Sequence, residues 1–153
     1  MLRRLDAAGV EFIVIGGIAA IAHGSPSFTF DLDIVFATDE PNLERLGRAL
    51  QDLNATLRGV TDDVPFVPDA RALRHVRLLT LDTEEGPLDV MVQPDGSKGY
   101  EQLRAGSIEA VVEGTAVRVA GLDDLIAMKK ASGRPKDRLH LEELEAIKRL
   151  GGD

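Results

Sequence analysis

The chain has no cysteine, which excludes disulfides, zinc-thiolate centres and thiol nucleophiles. Histidine is scarce: His23, His75 and His140 lie far apart in sequence and form no His-x-x-x-His pair, so zinc is not expected. A long apolar run is missing. The longest, Phe12 to Ala22, is interrupted by Gly16-Gly17 and is too short to span a bilayer. Arg3-Arg4 before it and Ala20-Ile21-Ala22 at its end have the form of a secretory signal. Asp6 and Glu11, however, place acid between the arginines and the apolar run, and the glycine pair reads as a turn; a cytoplasmic protein without membrane association is the expectation. Nor is there an excess of basic charge. The net charge of −8 argues against broad, non-specific binding of nucleic acid and leaves room for one local basic pocket.

What is present describes an ordinary globular chain, 44% hydrophobic and 29% charged, with the size expected of one domain over 1–153. Its fifteen aspartates suit a hard cation, Mg²⁺ or Mn²⁺, held by oxygen. The hydrophobic pattern alternates strands and helices, the α/β (α+β) class. A short helix from Leu2 to Ala8 precedes a buried strand over Val10–Ile15, a turn at Gly16-Gly17 and a helix over Ile18–His23. A second strand covers Leu32–Phe36, followed by a helix over Asn42–Leu53 and a loop from Thr61 to Ala70. Two hairpins (His75–Asp82 with Leu88–Gln93, and Glu109–Glu113 with Ala116–Ala120) enclose a short helical piece at Tyr100–Leu103. Helices over Leu122–Ala131 and Lys136–Leu150, broken at Ser132-Gly133-Arg134-Pro135, end the chain.

Three aspartates carry the chemistry. Residues i and i+2 of a strand share a face, so Asp31 and Asp33 project together while Leu32 and Ile34 turn to the core. At a frequency of one aspartate in about ten, chance supplies one Asp-x-Asp somewhere in the chain, and its setting has to decide. Here the pair opens an apolar strand. Asp89 interrupts the apolar run Leu88–Val92, in phase with Met91; it can be a third metal-facing carboxylate, or a solvated side chain paired with Arg77 across the hairpin. Gly16-Gly17, between strand and helix, suits close backbone approach to a phosphate but serves equally as a plain turn. Lys129 and Lys130 can be a solvated helix face. A basic patch from Arg71, Arg74, Arg77, Lys129, Lys130, Arg134 and Lys136 would admit an RNA acceptor.

In order, Ile15-Gly16-Gly17-Ile18-Ala19, His23-Gly24-Ser25-Pro26 and Thr29-Phe30-Asp31-Leu32-Asp33 resemble the signature of the DNA polymerase beta-like nucleotidyltransferase superfamily. More narrowly they are similar to small bacterial nucleotidyltransferases, including minimal nucleotidyltransferases and AbiEii-type toxins of type IV toxin-antitoxin systems. Leu88-Asp89-Val90-Met91, Leu125-Ile126-Ala127-Met128-Lys129 and Gly133-Arg134-Pro135-Lys136-Asp137 extend the resemblance over most of the chain. It implies a mixed twisted sheet flanked by helices, with C-terminal helices, and transfer of an NMP from an NTP to a hydroxyl of tRNA, protein or a small molecule. Asp31 and Asp33 would hold two Mg²⁺ (or Mn²⁺) ions and Asp89 would share one; Gly16 and Gly17 would meet phosphate; Lys129, Arg134 and Lys136 would form the cationic side of the nucleotide pocket. A cognate antitoxin and a second copy of the chain are the further candidate partners. Ser27 departs from the pattern, where relatives commonly carry arginine, as do Ile18, often serine, and His140, commonly acidic. Loss of that arginine leaves open a catalytically silent nucleotide- or partner-binding domain, with Arg71, Arg74 or Arg77 as substitutes for it.

Overall fold

A computed structural model describes residues 1–60 and 65–151. Its elements, in chain order, are α1 (Leu2–Ala7), β1 (Phe12–Ile15), α2 (Gly16–Ala22), β2 (Leu32–Phe36), α3 (Glu40–Asp52), β3 (Thr56–Leu57), α4 (Ala70–Leu73), β4 (Leu78–Thr83), β5 (Gly86–Met91), α5 (Tyr100–Gly106), β6 (Ile108–Val112), β7 (Thr115–Val119), α6 (Leu122–Ser132) and α7 (Asp137–Gly151). The seven strands form one sheet in the order β3-β4-β5-β2-β1-β7-β6. It is mixed: β2 runs parallel to β5 and β1 parallel to β7, while the other neighbours are antiparallel. The α/β expectation, with helices flanking a mixed sheet, therefore holds.

The central strands are apolar because both faces are covered. All four residues of β1 are buried, as are Leu32, Ile34, Val35 and Phe36 of β2 and Leu88 and Val90 of β5. A two-faced core leaves polar side chains a place only at strand ends, where the sheet opens to solvent. Leu43, Leu46 and Leu50 bury the inner stripe of α3, as their spacing predicts. That helix is fastened by Asn42, which is fully buried. Its Oδ1 accepts from the Glu11 amide at 2.7 Å, and its Nδ2 donates to the carbonyls of Glu11 at 3.0 Å and Ala37 at 2.7 Å.

Element boundaries shift slightly from those expected. α2 begins at Gly16 itself, with Ile15 preceding it as N-cap, so the glycine pair belongs to the first helical turn. α5 runs on to Gly106, and β4 starts at Leu78 after a short α4 whose first turn is capped by Asp69, accepting from the Ala72 amide at 2.8 Å. The expected loop from Thr61 to Ala70 lies partly, at 61–64, outside the described residues. β3 was not foreseen. It adds the outermost rung beside β4, pairing Thr56 with Asp82 and Leu57 with Leu81. Gly133, at φ 63°, ends α6 in the left-handed conformation, and α7 folds back against α6. No helix among the described residues is long and apolar enough to cross a membrane.

Candidate active site

Strand register brings the carboxylates together. Asp33 of β2 lies directly opposite Asp89 of β5, and Asp31, just ahead of β2, opens onto the same cavity. That cavity holds about 650 Å³ between one end of the sheet and the α6–α7 pair. Gly16, Gly17, Lys129, Arg134 and Lys136 line it as well, so the three aspartates, the glycine pair and three of the basic residues expected around them border one space. Arg71, Arg74 and Arg77 do not line it. Arg74 is paired with Glu40.

Both glycines are there for space. A Cβ on Gly16 would stand 2.2 Å from Asp33 Oδ2, and the backbone there has φ +68°; a Cβ on Gly17 would stand 2.8 Å from Thr29 Cγ2. Thr29 in turn shapes the approach to the carboxylates, its Oγ1 accepting from the Asp31 amide at 3.2 Å. His23, from the same stretch, bonds to the Ala120 carbonyl at 2.8 Å and serves packing.

The pair is electrostatically loaded. Burial, the facing Asp89 charge, a hydrogen bond shared with Asp89 and the charge of Asp31 raise the Asp33 pKa to about 7, against a smaller pull downward from Lys129. Asp89 Oδ1 is buried and has no hydrogen bond. The nearest cation is not Arg77, the partner considered across the hairpin, but Arg58, whose Nη2 lies 3.2 Å from that oxygen, close enough for charge attraction but off hydrogen-bond geometry. Among the described residues no three carboxylate or histidine side chains are already grouped around one point as ligands of an ion. The assembled part is the Asp33–Asp89 pair, with Asp31 beside it.

On the opposite wall the cations are partly spent. Asp137, 3% exposed, receives Lys129 Nζ at 3.1 Å, Arg134 Nε at 2.9 Å and the Ser132 hydroxyl. Burial alone would raise the pKa of Asp137; the hydrogen bonds from Ser132, Arg134 and Lys129 outweigh it and hold the carboxyl well below the usual range. Lys130 faces away, 3.5 Å from Glu145. Where arginine is common, Ser27 instead donates to Glu143 Oε2 at 2.7 Å, which also accepts from Ser25 at 3.0 Å and is lowered in pKa by these hydroxyls. The lining carries six carboxylates (Asp31, Asp33, Asp89, Asp95, Asp137 and Glu143) against three cations, so the expected basic patch gives way to an acidic one. Phe28 and Phe30, both nearly 80% exposed, meet edge to face at 4.8 Å beside Asp31.

No family model matches the sequence, and a search of curated proteins finds no relative of it. Solved structures do match. A lincosamide antibiotic adenylyltransferase, LnuA, with lincomycin bound superposes with a TM-score of 0.63 at 15% identity, over 95% of this chain and 92% of that one. ANT(2")-Ia in complex with adenylyl-2"-tobramycin gives 0.60 at 16%, over 97% and 83%. A putative nucleotidyltransferase from Thermotoga maritima gives 0.52 at 17%, over 99% and 88%. The chain has the nucleotidyltransferase fold. Identities this low speak for the fold alone, and the AbiEii-type toxin branch finds no match among these three. Within the nucleotidyltransferase fold, sequence reasoning missed Arg58, Asp95, Glu143 and the exposed phenylalanine pair. Serines at 25 and 27, spaced to reach one acceptor, were the available signal for Glu143; nothing local pointed to Arg58.

Proposed function

We propose that this chain is a metal-dependent nucleotidyltransferase that moves a nucleoside monophosphate from an NTP to a hydroxyl acceptor. The observation that carries this reading is the half-buried Asp33–Asp89 pair facing a cavity with room for a nucleotide. Two like charges in register, one pKa raised to about 7 and one buried oxygen without a hydrogen bond form a group that a divalent cation relieves. With Asp31 beside them the donors are all hard oxygens, the chemistry of Mg²⁺ or Mn²⁺. When bound, such ions would lower the pKa of the acceptor hydroxyl, whose proton passes to solvent, and neutralise the triphosphate and the pyrophosphate that leaves.

The remaining work falls to the chain. Asp31, Asp33 and Asp89 fix the reacting phosphate at the end of the sheet. Gly16 and Gly17 let the phosphates approach the backbone. Lys129, Arg134 and Lys136 balance the negative charge that spreads over the phosphoryl oxygens in the transition state. An acidic lining favours a small hydroxylated acceptor over tRNA or protein. LnuA and ANT(2")-Ia, which bind lincomycin and a tobramycin adduct, are consistent with that choice. A role as a type IV toxin rests on resemblance, and its mark would be growth arrest on expression, relieved by Asp33→Asn.

The test is label transfer from each α-labelled NTP with Mg²⁺ to total tRNA, cell extract or a panel of small hydroxylated molecules. Wild type is expected to transfer and Asp33→Asn to lose at least about 100-fold, since even groups that merely orient metal ligands cost roughly 10- to 100-fold. A second reading has its own observation: Asp137 occupies Lys129 and Arg134, and Ser27 replaces the usual arginine. A silent nucleotide-binding domain would bind Mg-NTP and transfer nothing to any acceptor.

A further inference from the structure

Strand register builds a row of side chains across the sheet on the face of the candidate site. Asp33 faces Asp89, and Asp89 faces Thr80 of β4. The backbone amide of Arg58, one residue beyond β3, donates to the Thr80 carbonyl at 3.0 Å and so continues the same ladder. Directly opposed residues in neighbouring strands share a face, which puts Arg58 on the side of the two aspartates with one small residue between.

The arginine spans that gap. Its Nη2 donates to the Leu81 carbonyl at 2.7 Å, and its Nε donates to Asp82 Oδ1 at 3.2 Å. These two anchors set the guanidinium so that Nη2 also lies 3.2 Å from Asp89 Oδ1, the buried oxygen that has no hydrogen bond. The anchors are directional and the contact with Asp89 is not. Charge attraction holds there without a hydrogen bond to break.

We propose that Arg58 is the standing counter-ion of Asp89 in the metal-free protein and sets the affinity with which the site takes a divalent cation; this rests on the metal-dependent reading above. A cation fixed at 3.2 Å offsets the repulsion between Asp33 and Asp89 when no ion is present. The same charge repels an incoming ion from the oxygen that ion needs. Arg58 thus stabilises the empty site and opposes its loading, and the balance tips when a triphosphate brings further negative charge. Metal and nucleotide then enter together. Arg58 is a positioning residue in this scheme, acting through Asp89.

The readout is binding of Mn²⁺ alone, followed by electron paramagnetic resonance, to wild type, Arg58→Gln and Arg58→Lys, repeated with ATP. Without nucleotide, Arg58→Gln is expected to bind Mn²⁺ at least about fivefold more tightly, the effect of one charge at contact distance in fully screening water. Its metal-free melting temperature should fall, and the gap between the variants should narrow with ATP. Arg58→Lys, which keeps the charge, should resemble wild type. A residue that only braces the sheet would weaken metal binding when removed. Unchanged or weaker Mn²⁺ binding in Arg58→Gln therefore overturns the assignment while leaving the metal site standing, provided wild type binds Mn²⁺. Failure of wild type to bind Mn²⁺ with or without ATP overturns the site reading and Arg58's role with it. Arg58→Met, neutral and of similar length, reads the same quantity should Arg58→Gln fail to fold.

Discussion

Asp33 shows in a single side chain how a site is kept at the expense of stability. Its folded pKa of about 7 lies above the ordinary aspartate value, so between roughly pH 4 and 7 the folded state binds more proton than the unfolded one. The sign follows: stability falls as pH rises through that window, and above about 7 the penalty is complete. Asp33→Asn removes it. In EDTA at pH 8 the variant should be more stable than wild type by about 2 kcal/mol, or roughly 5 °C in melting temperature, with the gain fading as pH falls towards 4. A variant that has lost transfer yet melts higher would mark Asp33 as kept for function. Equal melting curves at pH 8 would mean that the pair carries no such penalty. Beside it, Gly16→Ala should lower stability by about 1–2 kcal/mol through the left-handed backbone alone, and further through the clash with Asp33. Thermal melting measures this directly.

At the scale of elements, two devices hold the cavity's walls. Asp137 ties the end of α6 to the start of α7 by receiving Ser132, Lys129 and Arg134 at once. Because its folded pKa is depressed, its contribution is complete above the unfolded pKa, near 4, and is lost as pH falls below that. Asp137→Asn should melt lower than wild type at pH 7, and the difference should shrink in acid below about pH 4. Asn42 does the same for α3, and Asn42→Ala, which leaves the buried Ala37 carbonyl and the part-buried Glu11 amide without a partner, should cost about 1–3 kcal/mol by denaturant unfolding.

Elements with a strong period were legible in the sequence: the leucine stripe of α3, the apolar β2 and the hairpin of β6 and β7 fall where patterning puts them. Asp31, Asp33 and Asp89 were legible too, because a carboxylate stands out in an apolar strand. β3 was not, since two residues have no period to detect and Thr56-Leu57 is held by β4 alone. Arg58 stayed hidden for the same reason. Its partner lies thirty-one positions later in sequence, and only strand register makes them neighbours. The cations of the opposite wall were legible in place but not in state, because Asp137 reads as a helix-start residue and not as an acceptor of two cations.

Across the whole molecule, charge constrains how a nucleotide can enter. The chain carries −8, and six carboxylates against three cations line the cavity, with Lys129 and Arg134 already paired to Asp137. A triphosphate alone would meet repulsion both from the overall field and from the wall it has to touch. Divalent ions reverse both, since they cancel phosphate charge and give Asp33 and Asp89 an opposite charge to face. Binding of ATP should therefore be undetectable by calorimetry in EDTA and appear with Mg²⁺ or Mn²⁺, and raising monovalent salt should not restore it in EDTA, because the half-buried pair is screened less than surface charge. Equal affinity with and without divalent ion would mean that Lys129, Arg134 and Lys136 suffice to hold the phosphates. The acidic lining would then be a feature of the acceptor's side of the cavity, and the metal would have to enter, if at all, after the nucleotide.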